Sequence, residues 1–402
     1  MFRSPSHRPN LRYELVPKNS NSAAVLDSIA QFILNKHPTG AGLVYCFSKK
    51  DTRNVTQGLQ ERGVVSSQTY NADLSIEARE AVLRAWSKGQ LQVVVATTAF
   101  GLGINKPDCR FVVHHSLSKS VESLYQEAGR AGRDGLPSDC RTYYSAADVM
   151  RQSTMVCFEH AGITNLYKLV RLCENMKTCR RVLLASHFGD DFDATECKGT
   201  CDTCTHTAAG QLVLEDVTAH AQCLVQIVSA CQKKDDLKTL NGVLDLWQGK
   251  GRKGLGLEAV AKAPKTLLRG DRERIVVHLL LTNVLQEKFK NTAYSTNRSV
   301  SALSLWHLYA CTPPPPADMR YIDCYKQLLA TKRLRQFSVV WQTKNRDELS
   351  TRSRCRWRRR RRRWWWWQQC KRRWRWWGRR SEACWGGRWW WNQAFKTVKQ
   401  IE

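Results

Sequence analysis

Short apolar runs alternate with helix-like segments over the first 150 residues. Three runs have the continuous apolar character of strands buried on both faces: Gly42–Phe47, Leu91–Ala96 and Phe111–His114. Between them, the pattern predicts a helix over 51–62 that ends at Gly63. Ser75 and Gly89 stand where a helix N-cap and a left-handed residue after a helix are expected. This alternation predicts an α/β domain with a doubly wound parallel sheet over residues 1–150.

The pattern changes after residue 150. Residues 151–210 have helical periodicity followed by a cysteine-rich stretch, which predicts a small helical module. Residues 211–305 contain two or three helical patterns and a polar, strand-like end. Residues 306–402 begin with a proline-rich linker and continue as a low-complexity Trp/Arg segment, for which we expect a disordered tail.

Within residues 211–305, Leu237–Gly249 and Asp271–Gln286 fit two helices of a winged-helix domain. Glu287–Tyr294 would then form the strand that leads into the wing. Periodicity alone fits any other helical domain equally well.

The charge is strongly positive and unevenly distributed. Residues 352–391 hold sixteen Lys or Arg and one acid, Glu382, and so contribute +15 of the net charge of +29. The basic remainder indicates a polyanionic partner, first nucleic acid and second a membrane surface. No apolar stretch is long enough to span a bilayer and the N-terminus has no apolar signal core, so we expect a soluble intracellular protein.

Residues 357–391 contain twelve of the sixteen tryptophans of the chain. One interpretation is a nucleic-acid arm with Arg on phosphates and Trp on bases. The interpretation that we favour is an out-of-frame reading of a purine-rich simple repeat, since such a repeat encodes this set of residues.

Arginines, glycines and acids are closely spaced in Gln126–Gly135. Arg130 and Arg133 are three residues apart, so on a helix they would share one face and offer two guanidinium groups to phosphate oxygens. Gly129 and Gly132 have no side chain that would block the close approach of a partner. The motif predicts an arginine finger for a nucleotide bound elsewhere, and a solvated basic helix face is the alternative.

A second motif, 93–105, joins a buried strand to a glycine-containing loop. Thr97, Thr98 and the backbone amides near Gly101 and Gly103 suit phosphate binding at the carboxyl end of a strand. Farther along the chain, three basic residues lie between glycines and suit phosphate contacts, or else form a solvated loop: Lys250, Arg252 and Lys253.

Four cysteines have the spacing C-x17-C-x3-C-x2-C: Cys179, Cys197, Cys201 and Cys204. Short spacings let one turn supply three thiolates to a tetrahedral Zn2+, and four protein ligands leave no open position, so we predict a structural zinc site. The alternative is a set of core thiols. Cys173, His187 and His206 are nearby alternative ligands.

The chain resembles the RecQ family of ATP-dependent DNA helicases, and most closely the RECQL-type branch. The resemblance rests on His7–Tyr13, Tyr45–Ser48, Ala96–Ile104, Lys106–Asp108, Gln126–Gly135 and the cysteine order, and it fades after about Val300. It implies a RecA-like second motor lobe, a zinc-binding module and a winged-helix domain.

The resemblance also implies roles for single residues. Arg133 would be the finger on the γ-phosphate with Arg130 beside it, and Gln126 would couple the nucleotide to the lobe interface. The loop with Thr97, Thr98, Gly101 and Gly103 would follow the DNA backbone. Tyr294 would stack on the terminal base pair, with single-stranded DNA and duplex junctions as partners.

For the whole protein, the resemblance implies a 3′–5′ helicase that acts in repair, recombination and replication. It implies a nuclear location and allows a homo-oligomer.

The chain departs from the family in two residues and in one absence. Asn105 stands where the family usually has Asp, and Asn71 stands where it usually has His, and either change could weaken coupling between ATP hydrolysis and DNA movement. No G-x-x-x-x-G-K-[ST] loop and no Asp-Glu-x-His strand occur in the sequence. We expect a first lobe encoded upstream to supply the ATP and Mg2+ site, and no ATPase activity from these residues alone. The alternative is a non-catalytic DNA-binding module.

Overall fold

The computed structural model describes residues 7–98, 100, 105–209, 212–291, 296–302 and 338–342. The chain divides into two compact units, Met1–Trp341 and Gln342–Glu402, and the elements discussed below lie in the first. The sequence predictions for Gly101, Gly103 and Tyr294 lie outside the described residues. Of the predicted linker and tail, only β10 (Ser338–Gln342) is described.

Six parallel strands form the sheet of the first domain. They are β1 (Leu11–Pro17), β2 (Ala41–Tyr45), β3 (Ser67–Tyr70), β4 (Val93–Ala96), β5 (Cys109–His114) and β6 (Ser138–Tyr144). Their spatial order is β1-β6-β5-β2-β4-β3, and every pairing is parallel. The helices between them are α1 (Ser22–Lys36), α2 (Lys49–Gln60), α3 (Ile76–Ser87) and α4 (Val121–Ala128).

Helices cover both faces of this sheet. Alternate residues of β4 separate into two cores: Val94 packs with Trp86 of α3, whereas Val93 and Val95 pack with α1 and α2, including Ile29 and Leu59. A strand buried on both faces needs a continuous apolar run, which explains why the sequence pattern located β2, β4 and β5. The prediction of a doubly wound parallel sheet is confirmed.

The caps of the first helices follow the sequence signals. The Ser75 hydroxyl accepts from the Ala78 N–H, and Gly63 and Gly89 have φ of +92° and +74°. These left-handed conformations end α2 and α3, since a side chain at either position would strain the backbone.

A helical region follows the sheet. It contains α5 (Ala146–Val156), α6 (Gly162–Glu174), α7 (Arg180–Phe188), a 3-10 turn (Ala194–Cys197) and α8 (Asp202–Ala208). After β7 (Leu212–Asp216) come α9 (Thr218–Lys233), α10 (Leu240–Gln248) and α11 (Arg269–Leu281).

Strands β8 (Leu285–Asn291) and β9 (Thr296–Ala302) form an antiparallel hairpin in which Leu285 lies opposite Ala302. The helix predicted to reach Gln286 ends earlier, at Leu281, because the chain turns through Asn283, which has φ of +58°. Among the helices of the described residues, none is long and apolar enough to cross a membrane.

Candidate motor site and metal centre

The chain leaves α4 immediately before the two arginines of the Gln126–Gly135 motif. The helix ends at Ala128, and Gly132 has φ of +55° while its N–H donates to the Cys109 carbonyl over 2.8 Å. A Cβ at Gly132 would lie 2.5 Å from Asn10 Nδ2. The prediction that Arg130 and Arg133 share one helix face is therefore wrong. The backbone turns between them to reach the sheet, and periodicity does not register that change.

Arg130 lies inside the protein, 7% exposed. It hydrogen-bonds the Tyr45 hydroxyl, which itself donates to the Phe100 carbonyl over 3.0 Å. Burial raises the pKa of Tyr45 well above its ordinary value, and the Arg130 charge acts in the opposite direction. In the described conformation, Arg130 joins its loop to β2 and does not lie beside Arg133 on the surface.

Arg133 lies on the exposed side of the same turn. Its Nη1 donates to Asn105 Oδ1 over 3.2 Å, so the arginine and the residue after the glycine loop meet. The acceptor is a neutral amide, which orients a guanidinium without the charge of an ion pair. Gln126 is exposed on α4.

A buried acid within the motif was not singled out by sequence reasoning. Glu127 Oε2 accepts from the Ser118 hydroxyl over 2.6 Å and lies 3.0 Å from His114 Nε2. The Tyr45 ring stacks on His114 at 5.6 Å between centroids. The signal in the sequence was the helical spacing that puts Glu127 on the same face of α4 as Val121, Leu124 and Ala128. This cluster fixes α4 to the end of β5.

The loop after β4 is anchored by a buried aromatic ring. Phe100 is fully buried, and its ring centroid lies 4.5 Å from that of Tyr70 and 5.8 Å from that of Trp86. Thr97 is half-buried and Thr98 is exposed. Because β4 ends at Ala96, both lie at the carboxyl end of a parallel strand, where α/β sheets bind ligands.

Asn71 has a structural position at the end of β3. Its buried side chain donates to Thr52 Oγ1 over 2.9 Å and accepts from the Asp73 N–H over 2.9 Å. The amide thereby joins β3 to α2.

The four predicted cysteines form one cluster. Their sulfur atoms lie within 4.8 Å of one another, and Cys179 Sγ is 3.8 Å from Cys201 Sγ. Tetrahedral Zn–S bonds of about 2.3 Å place sulfurs about 3.8 Å apart, so the cluster has the dimensions of a zinc site. The alternative ligands lie elsewhere: among the residues described, the cluster contains these four alone, and His187 pairs with Glu122.

Local backbone geometry brings the cysteines together. Lys198 and Gly199 have φ of +48° and +69°, which reverses the chain between Cys197 and Cys201. The Thr200 N–H and hydroxyl both donate to the Cys197 carbonyl, over 2.9 and 2.7 Å. A left-handed turn of this kind lets closely spaced cysteines point at one centre.

A buried ion pair supports the same module. Arg180 donates from Nε to Asp202 Oδ1 over 2.9 Å, and both side chains are less than 5% exposed. Arg180 also donates to the Asn175 carbonyl, so its charge is satisfied without solvent.

The glycine-rich loop after α10 uses its central arginine internally. All five N–H donors of Arg252 meet backbone carbonyls, those of Leu246, Trp247, Leu257, Val260 and Ala261. The prediction that Arg252 contacts phosphate is wrong for this conformation, because the loop folds around its guanidinium. Lys250, which pairs weakly with Asp245, and Lys253 are exposed.

Two family models match the chain. "Helicase conserved C-terminal domain" covers residues 24–135, and "RecQ zinc-binding" covers residues 146–205. The first contains the glycine loop and the whole arginine motif, and the second contains all four cysteines. The cysteine geometry and the second match together identify structural zinc as a cofactor.

The chain is similar to curated helicases from plants and animals. It is 42% identical over 301 residues to the ATP-dependent DNA helicase Q-like 2 of Arabidopsis thaliana, covering 75% of this chain and 41% of that protein. It is 42% identical over 295 residues to the ATP-dependent DNA helicase Q1 of Rattus norvegicus, covering 73% of this chain and 47% of that protein. It therefore spans less than half the length of these relatives.

Proposed function

Because the chain belongs to the RecQ family of DNA helicases, we propose that it supplies the second motor lobe of an ATP-dependent 3′–5′ DNA helicase. The observation that carries the proposal is Arg133, exposed in the turn that follows α4 and oriented by Asn105. The proposed domains are the lobe (1–150), the zinc module (151–210) and the winged helix (211–305).

In this proposal, ATP and Mg2+ bind on a first lobe that these 402 residues do not contain. Arg133 reaches the γ-phosphate when the lobes close, and an arginine placed there stabilises the charge that develops during phosphoryl transfer. Arg130 holds the loop from inside, and Gln126 faces the lobe interface. Thr97 and Thr98 contact the DNA backbone, and Lys250 and Lys253 contribute phosphate contacts.

The zinc has a structural role in the proposal. Four thiolates within 4.8 Å repel one another, and a divalent cation would offset that repulsion and fix the turn. The partners are single-stranded DNA and duplex junctions, and the proposed location is the nucleus. Tyr294 is the proposed stacking residue of the wing.

A chimaera tests the motor assignment. The first lobe of a RecQ relative is fused ahead of residue 7, and DNA-stimulated phosphate release is measured for the chimaera and for the unfused chain. We expect no turnover from the unfused chain and DNA-stimulated turnover from the chimaera. Arg133→Ala should lower that turnover roughly 10³-fold.

The matched control is Arg110→Ala, since Arg110 contacts the same turn through Asp134, whereas Arg133 contacts Asn105. Turnover by the unfused chain, or a chimaera indifferent to Arg133→Ala, would contradict the assignment.

A non-catalytic DNA-binding module is the second candidate, favoured by the exposed lysines of the α10–α11 loop. It predicts a salt-dependent DNA affinity that neither ATP nor Arg133→Ala changes, even in the chimaera.

A further inference from the structure

We propose that Arg8 and Arg181 are positioning residues that connect the zinc centre to the finger loop, residues 129–136. The connection passes through residues 7–11, called the linking segment below. The inference rests on the proposed function, in which Arg133 of the finger loop acts on the nucleotide.

The connection begins beside the metal ligands. Arg181 is 4% exposed, and its Nε and Nη2 donate to Thr200 Oγ1 over 3.2 and 3.0 Å. Thr200 lies in the turn between Cys197 and Cys201 and donates to the Cys197 carbonyl. The position of Thr200, and with it the direction of the Arg181 side chain, therefore depends on the turn that the metal closes.

Arg181 then holds the linking segment by its backbone. Its Nη1 donates to the Arg8 carbonyl over 2.8 Å, and its Nη2 donates to the carbonyls of Pro9 and Leu11 over 3.1 and 2.6 Å. At the start of the segment, the His7 ring packs on Phe192, with 4.4 Å between centroids. Phe192 itself packs against the cysteine cluster, so the zinc module contacts the segment at two places.

The linking segment in turn holds the finger loop. Arg8 Nη1 donates to the Gly129 carbonyl over 2.9 Å, and its Nη2 donates to the carbonyls of Ala131 and Gly132 over 3.1 and 2.5 Å. Asn10 Nδ2 donates to the Gly132 carbonyl as well, over 2.7 Å.

The acceptors explain why these contacts fix the loop. A helix leaves its last carbonyls without intrahelical partners, and the carbonyls of the turn after α4 need donors for the same reason. One rigid, planar guanidinium meets three of them, which fixes the direction of the turn from which Arg133 projects. Arg181 holds the backbone from which the Arg8 side chain reaches these carbonyls.

Hydrogen exchange of the full chain tests the connection. Zinc is removed by chelation, release is quantified, and amide exchange is followed in the turn 197–201 and at Gly132 and Gly135. In the wild type, zinc loss should speed exchange in both places, by roughly tenfold in the finger loop, as expected for a lost charge-assisted hydrogen bond.

Arg8→Lys keeps the positive charge but loses the planar guanidinium group that meets three carbonyls. With zinc bound, its finger loop should already exchange faster, and zinc removal should add no further increase. The control Arg110→Lys, altered at the Asp134 contact of the same loop, should keep the wild-type response to zinc.

If chelation unfolds the whole chain, zinc-loaded Arg181→Lys gives the same comparison. We expect faster amide exchange in its finger loop at full zinc content, and an unchanged exchange rate overturns the inference. A wild-type finger loop indifferent to zinc, or a full zinc response in Arg8→Lys, also overturns it. Hydrogen exchange is measured without ATP or DNA. A failure of the proposed motor function would therefore appear in the phosphate-release assay of the chimaera and leave the exchange result unchanged.

Discussion

At the scale of single residues, Gly132 and Gly135 share a backbone conformation but differ in their surroundings. Their φ angles are +55° and +81°. A Cβ at Gly132 would meet Asn10 Nδ2 at 2.5 Å and Ser138 Oγ at 2.7 Å, whereas nothing lies within 4 Å of one at Gly135.

Gly135→Ala should therefore lower the free energy of unfolding by about 1 kcal/mol, the backbone strain alone. Gly132→Ala should cost about 3 kcal/mol, because a clash adds to the same strain. Urea unfolding of both variants measures the difference. Equal losses would mean that the surroundings of Gly132 yield to the methyl group.

His115 makes stability depend on pH. Its pKa is lowered to about 3, chiefly by burial and also by the charges of Lys18 and Arg151, while Asp51 acts in the opposite direction. Between the unfolded value of 6.5 and about 3, the unfolded state binds more protons, so stability is complete above pH 6.5 and is lost as pH falls through this window.

His115→Gln should flatten the pH dependence of the free energy of unfolding between pH 5 and 6.5. The difference in slope from the wild type should be at most about 1.4 kcal/mol per pH unit. Urea titrations at several pH values measure both slopes. Identical slopes would show that His115 keeps its proton equilibrium on folding.

The sequence located residues whose role follows from identity and spacing. A short turn leaves Cys197, Cys201 and Cys204 few other arrangements, and Cys179 joins them from the start of α7. Arg130 and Arg252 were misplaced for a common reason. An arginine is as able to satisfy buried carbonyls or a tyrosine as to meet phosphate, and only the backbone around it decides.

At the scale of elements, the β8–β9 hairpin is held at its base by a buried ion pair. Glu287 of β8 and Arg298 of β9 lie 3.2 Å apart, with side chains 1% and 10% exposed. Tyr167 of α6 and Ser153 of α5 donate to the same carboxylate over 2.9 and 3.1 Å. The hairpin is thereby fixed to two helices of the preceding module.

Glu287→Gln should lower the free energy of unfolding by about 3 kcal/mol, since it leaves the Arg298 charge buried without its partner. Hydrogen exchange should rise along β8 and β9. Lys288→Gln, at an exposed position on the neighbouring residue, should change neither quantity. A tolerated Glu287→Gln would mean that water reaches Arg298.

Elements with a strong apolar period were predictable, and their ends were less so. Strands β2, β4 and β5 follow from apolar runs. The predicted helix over Asp271–Gln286 merged α11 with β8, because Val284 and Leu285 follow Leu281 at the three- and four-residue spacing of a helix. The turn at Thr282 and Asn283, where Asn283 has a positive φ, separates the two elements.

At the scale of the whole molecule, one apolar core continues from α4 to the hairpin. It includes Leu124, Leu169, Leu224, Trp247, Val276 and Val300. The sequence predicted separate domains after residue 150, and their boundaries stay a prediction. Periodicity reports which face of an element is buried but not which other element covers it.

Removal of zinc should affect more than the cysteine turn. We expect a loss of helicity and of protease resistance over residues 155–205, since metal binding closes a turn that the chain does not form alone. Circular dichroism and limited proteolysis before and after chelation measure this. Full resistance after verified zinc release would contradict a structural role.

Strand β1 pairs along its length with β6, which is the last of the six strands in chain order, so that Leu11 lies beside Ser138. Of the six strands of this sheet, β1 is therefore the first to be synthesised and among the last to find its neighbour. Until residue 144 has emerged, β1 exposes the apolar Leu11 and an unpaired edge, which is a site for chaperones or for wrong pairing. The six-stranded sheet is therefore complete only after β6 has been synthesised.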